Sequence, residues 1–531
     1  MPQTTHRRPG LLLGLLTGGL WLALGAALPA AEAGQSPEAQ HQAAIKAQGA
    51  GNYQDAQTVF ARLALDPLGN PAQAPEALAR AVECLQQLGR VAETDALIEA
   101  AVKAHPGNCR LLMRAAQIYH DQDHGGFMVA GRFERGRHRG GTAKPVNAEE
   151  RDRVRALQLM EQALTLAAAD TAAPAGNYDS LYSQLSRMLL GNRGYDEAWK
   201  LQVLTDLTTL PDYEDGYWYG YRGGRRGAPV TADGAPLFYA VPAGWAAAKN
   251  DGERWRWALA QRRHVSARYE FAQFLQHQFG VETMAEYDWF FRGAAADRDD
   301  DTRRDESGTW ELHTLRDNET IAKLATGIRR FTLPPEYDFM AIYRELAGQK
   351  QGYENDALCQ LAREYENRRQ YDRAIPCWEA VLAHGHGRSD EARQHLDQIR
   401  RNWGQFEPVL TQPAGGRGAT VEFRFRNADS ARFEAVELNV PKLLADVKEY
   451  LAGNPKQVDW ERTEINNLGW RLVEKNQRRY LMAVAAAWEL PLTPRPNHWD
   501  RRITVQTPLK KAGAYLLTAT LPDGNSSRIV L

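Results

Sequence analysis

The chain is 531 residues long, enough for about three domains. Its 65 basic and 66 acidic residues leave a formal net charge of −1, which excludes bulk electrostatic attraction to nucleic acid or to an anionic membrane surface. At 43% hydrophobic and 25% charged the composition is that of an ordinary globular protein, and four cysteines are too few for a disulfide-built scaffold.

Residues 1–33 carry a basic start at Arg7-Arg8, a Leu/Ala/Gly-rich apolar run over 11–27, and a small-x-small cleavage site at Ala31-Glu32-Ala33. This is the layout of a secretory signal peptide, and it predicts a periplasmic or extracellular mature protein. The rival reading is a retained membrane anchor, for which the run is slightly short. No cysteine stands at the cleavage region, so lipoprotein attachment is not expected. Membrane contact is then limited to an uncleaved signal segment.

Residues 34–211 read as helical hairpins. Ala44 stands twelve residues before Ala56, followed by Phe60, Leu63 and Pro67. Leu78, Ala81, Val82 and Leu85 precede Thr94, Ile98 and Ala101, with His105-Pro106 as a stop. Tyr182, Leu185, Ser186 and Leu189 precede Ala198, and the unit ends near Pro211. The fullest example lies further on, over residues 358–381. There Leu358, Leu361, Ala362 and Tyr365 share one helix face, and Ala374, Trp378 and Val381 share a second. Ala362 and Ala374 are again twelve apart, where two helix backbones must approach closely. This alternation of small and large residues resembles the tetratricopeptide repeat, a helix–turn–helix of about 34 residues. Pro376 departs from it, since a proline early in the second helix costs a backbone bond. One hairpin cannot bury its apolar face alone, so the units are expected to fold as an array.

Residues 121–148 interrupt the pattern between an expected first helix (Leu112, Ala115, Ala116, Tyr119) and second helix (Ala156, Met160, Ala163). The insertion reads as a glycine-rich loop carrying Arg132, Arg135, Arg137, His138, Arg139 and Lys144. One reading is a cationic docking surface for an acidic partner. The other is a solvated loop paired locally with acids such as Glu149 and Glu150. His120 and His124 are four apart and would suit a metal only if the helix continued past Gly125-Gly126.

Residues 212–404 read as an aromatic segment followed by further repeats. The segment is rich in Tyr, Trp and Gly and holds Tyr217, Trp218 and Arg222. It could stack on carbohydrate or single-stranded bases, or simply pack against helices. Trp255 and Trp257 are expected to pack in the interior, ahead of a helix over 265–279. The run DRDDDTRRDE (297–306) lacks the glycine and distal glutamate of a calcium loop and reads as a linker. Helices are expected over 311–331 and 337–349, and again near 389–401. Cys359 and Cys377 fall on facing helices, where either a disulfide or two small buried thiols would fit.

Beyond residue 404 the period switches to alternation. Residues 419–531 read as a small β-sandwich with helical insertions near 442–452 and 465–480. Val421, Phe423 and Phe425 with Phe433, Ala435 and Val436 predict a first strand pair around Asn427-Ala428-Asp429. Further strands are expected over 484–490, 502–507, 513–521 and 527–531, with Asp523-Gly524 as a hairpin turn. The fold class is thus mainly α, a TPR-like superhelix followed by a C-terminal β-sandwich.

The segment TPLKKAGAYLLTATLPDGNSSRIVL (507–531) resembles the closing hairpin of an N-terminal macroglobulin-type domain. GERWRWALAQ (252–261), RFTLPPEYDF (330–339), ATVEFRFRN (419–427) and DRRITVQTPL (500–509) are likewise similar to stretches of large bacterial alpha-2-macroglobulin-like proteins. In that family a signal peptide and helical repeats precede the first macroglobulin domain, so the resemblance covers most of the mature chain. It implies a large extracytoplasmic protease trap, in which a bait region is cut, the molecule collapses around the protease, and in many members a Cys-Gly-Glu-Gln thioester attaches to it. None of the four cysteines here is followed by Gly-Glu-Gln, and the sequence stops where the first macroglobulin domain would end. The resemblance therefore implies either the N-terminal portion of a split or truncated member or a relative that kept only the scaffold. Its implied partners are proteases, or other domains or chains of a macroglobulin-like assembly.

No serine nucleophile elbow, paired zinc-ligand helix or nucleotide loop occurs in the sequence, so neither catalysis nor a cofactor is expected. The candidate partner-binding residues are Arg132, Arg135, Arg137, Arg139, Tyr217, Trp218 and Arg222. Three functions fit: the macroglobulin-type scaffold, a free-standing periplasmic repeat protein binding peptide or envelope partners, and a carbohydrate-directed envelope protein using the aromatic segment.

Overall fold

The computed structural model describes residues 36–138, 141, 143–172, 174, 176–191, 194–216, 227–281, 310–385, 387–407, 419–453, 456–457 and 478–531. They divide into two compact units, one of 36–148 with 213–216 and the other of 149–212 with 227–531. Both are built from helices and small antiparallel sheets.

In the first unit, helices α1 (Pro37–Gly49), α2 (Tyr53–Leu65), α3 (Ala74–Gln87), α4 (Thr94–Ala104) and α5 (Cys109–Asp121) follow one another through short turns. Ser36 caps α1 by accepting from the Ala39 N–H, and Asn108 caps α5 through the Leu111 N–H. Gly51 and Gly89 turn the chain between helices at φ of +84° and +68°, where a side chain would strain the backbone. The small residues at the twelve-residue interval are buried: Ala44 at 3% exposure and Ala56 at 0% share one cluster with Phe60, Ala81 and Cys84. Thr94, Ile98 and Ala101 are buried as well.

The expected loop at 121–148 is instead a sheet. Strands β1 (Gly125–Val129), β2 (Arg132–Arg135) and β3 (Lys144–Asn147) pair antiparallel with β4 (Glu214–Asp215) in the order β2-β1-β3-β4. The glycines that suggested a loop serve the turn and the close approach of strands. Gly131 lies at φ +77°, and a Cβ on Gly126 would stand 2.5 Å from the Glu134 carbonyl oxygen.

The second unit opens with α6 (Glu149–Ala169) and α7 (Asp179–Leu190). The expected helix around Ala198 is a 3₁₀ stretch (Gly194–Gln202) with a non-helical residue at Glu197, though Ala198 itself is buried. Helices α8 (Asp251–Gln261) and α9 (Ser266–Phe279) follow. Trp255 is buried at 1% exposure with its ring 4.1 Å from Phe274, and Trp257 meets Tyr182 edge-on. Both are packing residues. The charged run 297–306 lies outside the described residues.

The expected helix over 311–331 is a short 3₁₀ turn followed by a hairpin, β5 (Glu319–Leu324) and β6 (Gly327–Thr332). Ile321, Leu324, Ile328 and Phe331 happen to fall at helical spacing, which misleads a periodicity reading. Gly327 at φ +119° turns the chain back instead. Glu319 at the head of this hairpin accepts from the Arg316 side chain and backbone N–H and from Arg330, and these hold its carboxyl down to about 2. A carboxylate lowered on folding stabilises the folded state above its ordinary range, and that contribution is lost as pH falls. Wild-type melting temperature should therefore drop between about pH 4.5 and pH 2, and Glu319→Gln should flatten that part of the profile.

Four more helices follow: α10 (Phe339–Gly348), α11 (Glu354–Asn367), α12 (Tyr371–His384) and α13 (Ser389–Arg400). In α11 and α12, Ala362, Ala374, Trp378 and Val381 are all fully buried. Helix α12 runs through Pro376 without ending there.

The C-terminal part contains two antiparallel sheets. One has the order β10-β9-β12-β13, with β9 Ser430–Leu438, β10 Leu481–Pro491, β12 Tyr515–Thr520 and β13 Ser526–Val530. The other is β11-β8-β7, with β7 Trp403–Phe406, β8 Thr420–Arg426 and β11 Arg501–Gln506. The strands flanking Asn427 do not pair with each other as expected: β8 and β9 belong to different sheets. Asn427, at φ +63°, carries the chain from one to the other. Alternation explains the core, since Val421, Phe423 and Phe425 of β8 meet Phe433 and Ala435 of β9 and Leu517 and Ala519 of β12 in one cluster. Each such phenylalanine contributes about 2 kcal/mol by leaving water. Helix α14 (Val440–Ala452) matches the first expected insertion. Most of the second, 465–480, lies outside the described residues, with 478–480 a single 3₁₀ turn.

Candidate functional site

The cations of the insertion divide by geometry. Arg135 is buried at 5% exposure, its guanidinium paired with Asp95 at 2.9 Å and donating to the Asp123 carbonyl at 2.7 Å. It sits 5.1 Å from the centre of the Phe133 ring and ties β2 to the start of α4. The sequence offers either a docking surface or a solvated loop for it, whereas the structure makes it an internal anchor. Arg132 and Arg137 are exposed. Lys144 pairs with Asp215 at 2.6 Å, and His138 lies 3.4 Å from Glu134. The acids that neutralise this sheet thus include Asp95, Glu134 and Asp215, while Glu150 pairs with Arg153 on its own helix. Arg139, Tyr217, Trp218 and Arg222 lie outside the described residues. Tyr213, at the start of the aromatic segment, stacks on Phe133 at 4.6 Å within this unit.

Helix α5 ends at Asp121, so His124 leaves the helix and the i, i+4 histidine pair is broken. Among the described residues no group of three or more His, Cys, Asp or Glu side chains is placed to hold a metal ion. Cys359 and Cys377 are free thiols, both pushed up by burial, Cys377 to about 11. Thiols held so far above neutrality are poor nucleophiles.

Two side-chain groupings in the second unit were not singled out from the sequence. The first is the fully buried pair of Glu364 and Arg368, both at 0% exposure and 3.2 Å apart. Glu364 also accepts from the Val281 N–H, and Arg368 donates to the Arg316 carbonyl. Gln370 adds bonds to the His313 and Leu315 carbonyls. The turn between α11 and α12 is therefore bonded both to Val281 and to the 313–316 stretch. An i, i+4 Glu-Arg pair at the end of a helix is visible in the sequence, but such pairs are usually on the surface.

The second is the seam where α13 gives way to β7. A cleft of about 400 Å³ is lined by residues including Asp397, Arg401, Asn402, Trp403, Arg426 and Asn525. Arg426 pairs with Asp500 at 2.7 Å and lies over both Tyr371 and Trp403. Asn427 donates to the Ile399 carbonyl, and the Trp499 indole N–H donates to the Arg369 carbonyl. Asn525 exchanges two hydrogen bonds with the Gly404 backbone. These bonds join the last helices to the sheets, so the polar groups of the cleft are largely occupied in holding the seam. Gly524 completes it: a Cβ there would stand 2.4 Å from the Asn402 carbonyl oxygen. Gly524→Ala should cost about 1–3 kcal/mol by overpacking, read as a lowered denaturation midpoint.

Comparison of the sequence with protein-family models and with curated proteins gives no match. No helix among the described residues is long and apolar enough to cross a membrane.

Proposed function

We propose that the chain is a non-catalytic extracytoplasmic scaffold of the kind found at the N-terminus of bacterial alpha-2-macroglobulin-like protease inhibitors. In this reading the hairpins are tetratricopeptide-type repeats and the paired sheets are a macroglobulin-type β-sandwich. The observation that carries it is the order of parts: buried alanines twelve residues apart in two helical hairpins, Ala44/Ala56 and Ala362/Ala374, then a direct passage from Arg400 to Trp403 into two sheets around one phenylalanine-rich core. The signal-like segment at 1–33 supplies the location. Proteases, or other chains of the assembly, are the partners.

The second reading, a periplasmic repeat protein that binds peptide, draws on a polar row across α1 and α3. There Gln48 donates to Glu83 and accepts from Arg80, and Gln73 bonds Glu38. Side chains of this type on the first helices of successive hairpins suit an extended backbone.

The scaffold reading is tested by challenging the purified mature chain with a serine endopeptidase. Without a Cys-Gly-Glu-Gln thioester it should leave the protease active on protein and peptide substrates, with no detergent-resistant conjugate. Inhibition or conjugate formation by the chain alone would overturn it.

A further inference from the structure

The short turn Pro496–His498 fastens the sheets to the last helices, and a histidine sits in the fastening. Asn427, between β8 and β9, donates its side-chain amide protons to the Ile399 carbonyl at 2.8 Å and the Arg401 carbonyl at 3.1 Å. Its remaining polar atom, Oδ1, lies 2.9 Å from Nδ1 of His498. An amide oxygen can only accept, so Nδ1 carries the ring proton and Nε2 is the nitrogen that can take up a second one. One residue on, the Trp499 indole N–H donates to the Arg369 carbonyl, and its ring meets His313 edge-on. These bonds hold a backbone that side chains disfavour: Asn497 and His498 stand at φ +60° and +58°, two left-handed residues in succession.

The charges around His498 come from every element that packs on the turn. Burial first, and then the guanidiniums of Arg400 at the end of α13 and Arg426 of β8, hold its imidazole below the ordinary 6.5; Asp372 at the start of α12 acts the other way. Arg400 is itself paired with Glu379, and Arg426 with Asp500. Arg369, Arg401 and His313 stand at the bonds already named, and Arg495 lies over the Trp499 ring.

We infer that the 496–499 turn is an acid-sensitive latch, in which a proton on Nε2 of His498 adds a positive charge beside Arg400 and Arg426 and loosens the sheets from the end of α13. The bond to Asn427 survives the proton, because Nδ1–H still donates. What opens the turn is a charge held half-buried among like charges. The sign follows from linkage. The ring binds its proton more readily with the turn open, where water surrounds it and the two guanidiniums are further off. Closure is therefore fully favoured above about pH 6.5 and weakens as pH falls below it. That window lies above the one in which Glu319 acts. The inference is independent of the scaffold reading.

The test is amide hydrogen exchange of the full chain between about pH 7.5 and pH 5, read by mass spectrometry and corrected for the pH dependence of unstructured peptide. Peptides covering 399–405 and 496–501 should exchange several-fold faster at the acid end, while the 358–366 helix should not. His498→Gln, whose amide can still donate to Asn427, should match wild type at the neutral end and lose the acid acceleration. Wild-type peptides that show no acceleration overturn the inference, whether or not the variant folds. So does a His498→Gln chain that accelerates as wild type does, which would assign the effect to another group such as His313.

Discussion

Replacing Arg368 by methionine should destabilise the second unit by about 3–5 kcal/mol, the largest single effect expected of any charged residue described here. Arg368 and Glu364 are both inaccessible to solvent, so removal of the cation leaves a carboxylate in the interior with too little to compensate it. Removal also deletes the bond to the Arg316 carbonyl and the contact with Phe339, 6.0 Å from the guanidinium carbon. The pair itself need not stabilise the fold relative to an apolar substitute. The double variant Glu364→Leu/Arg368→Met should therefore regain most of the loss. Urea denaturation of the three proteins separates the cases. A single-variant cost below about 1 kcal/mol would mean that the pair is hydrated and does not hold the turn.

Trp378→Ala should cost a similar amount, about 3–5 kcal/mol, for a different reason. The side chain is fully buried between α11, α12 and α13: its indole N–H donates to Glu366 at 2.5 Å, and its ring stacks on His395 at 4.4 Å. Alanine leaves a cavity the size of an indole beside His395 and Glu366. Trp378→Phe should recover over half of the loss while still lacking the bond to Glu366. The same denaturation series reads both variants, and equal stability of the alanine variant and wild type would contradict the packing described.

The hairpins were legible because their signal is local. Trp378, Ala362 and Ala374 announce by spacing alone where two helices meet. The strands from Thr420 onward were legible for the same reason, since β8 buries every second residue. What failed was pairing, which depends on distant residues: nothing in Asn427-Ala428-Asp429 distinguishes a hairpin turn from a passage between two sheets. Ile321, Leu324, Ile328 and Phe331 spell a helix, and only the conformation of Gly327 makes a hairpin of them. Arg135 shows the corresponding limit for sites. Its charge and glycine-rich surroundings indicate an exposed loop, and the partner that buries it, Asp95, is forty residues away. Glu364 and Arg368 had the spacing of a surface pair, and only the fold shows that they are enclosed.

The scaffold account is tested most directly by recovering the tagged full chain from the envelope fraction of its own cells and identifying what accompanies it in constant proportion. The account predicts a processed chain beginning near residue 34, bound to a polypeptide with macroglobulin domains. Recovery from the cytoplasm with residues 1–33 still attached, or from the envelope with neither such a polypeptide nor a protease, would contradict it.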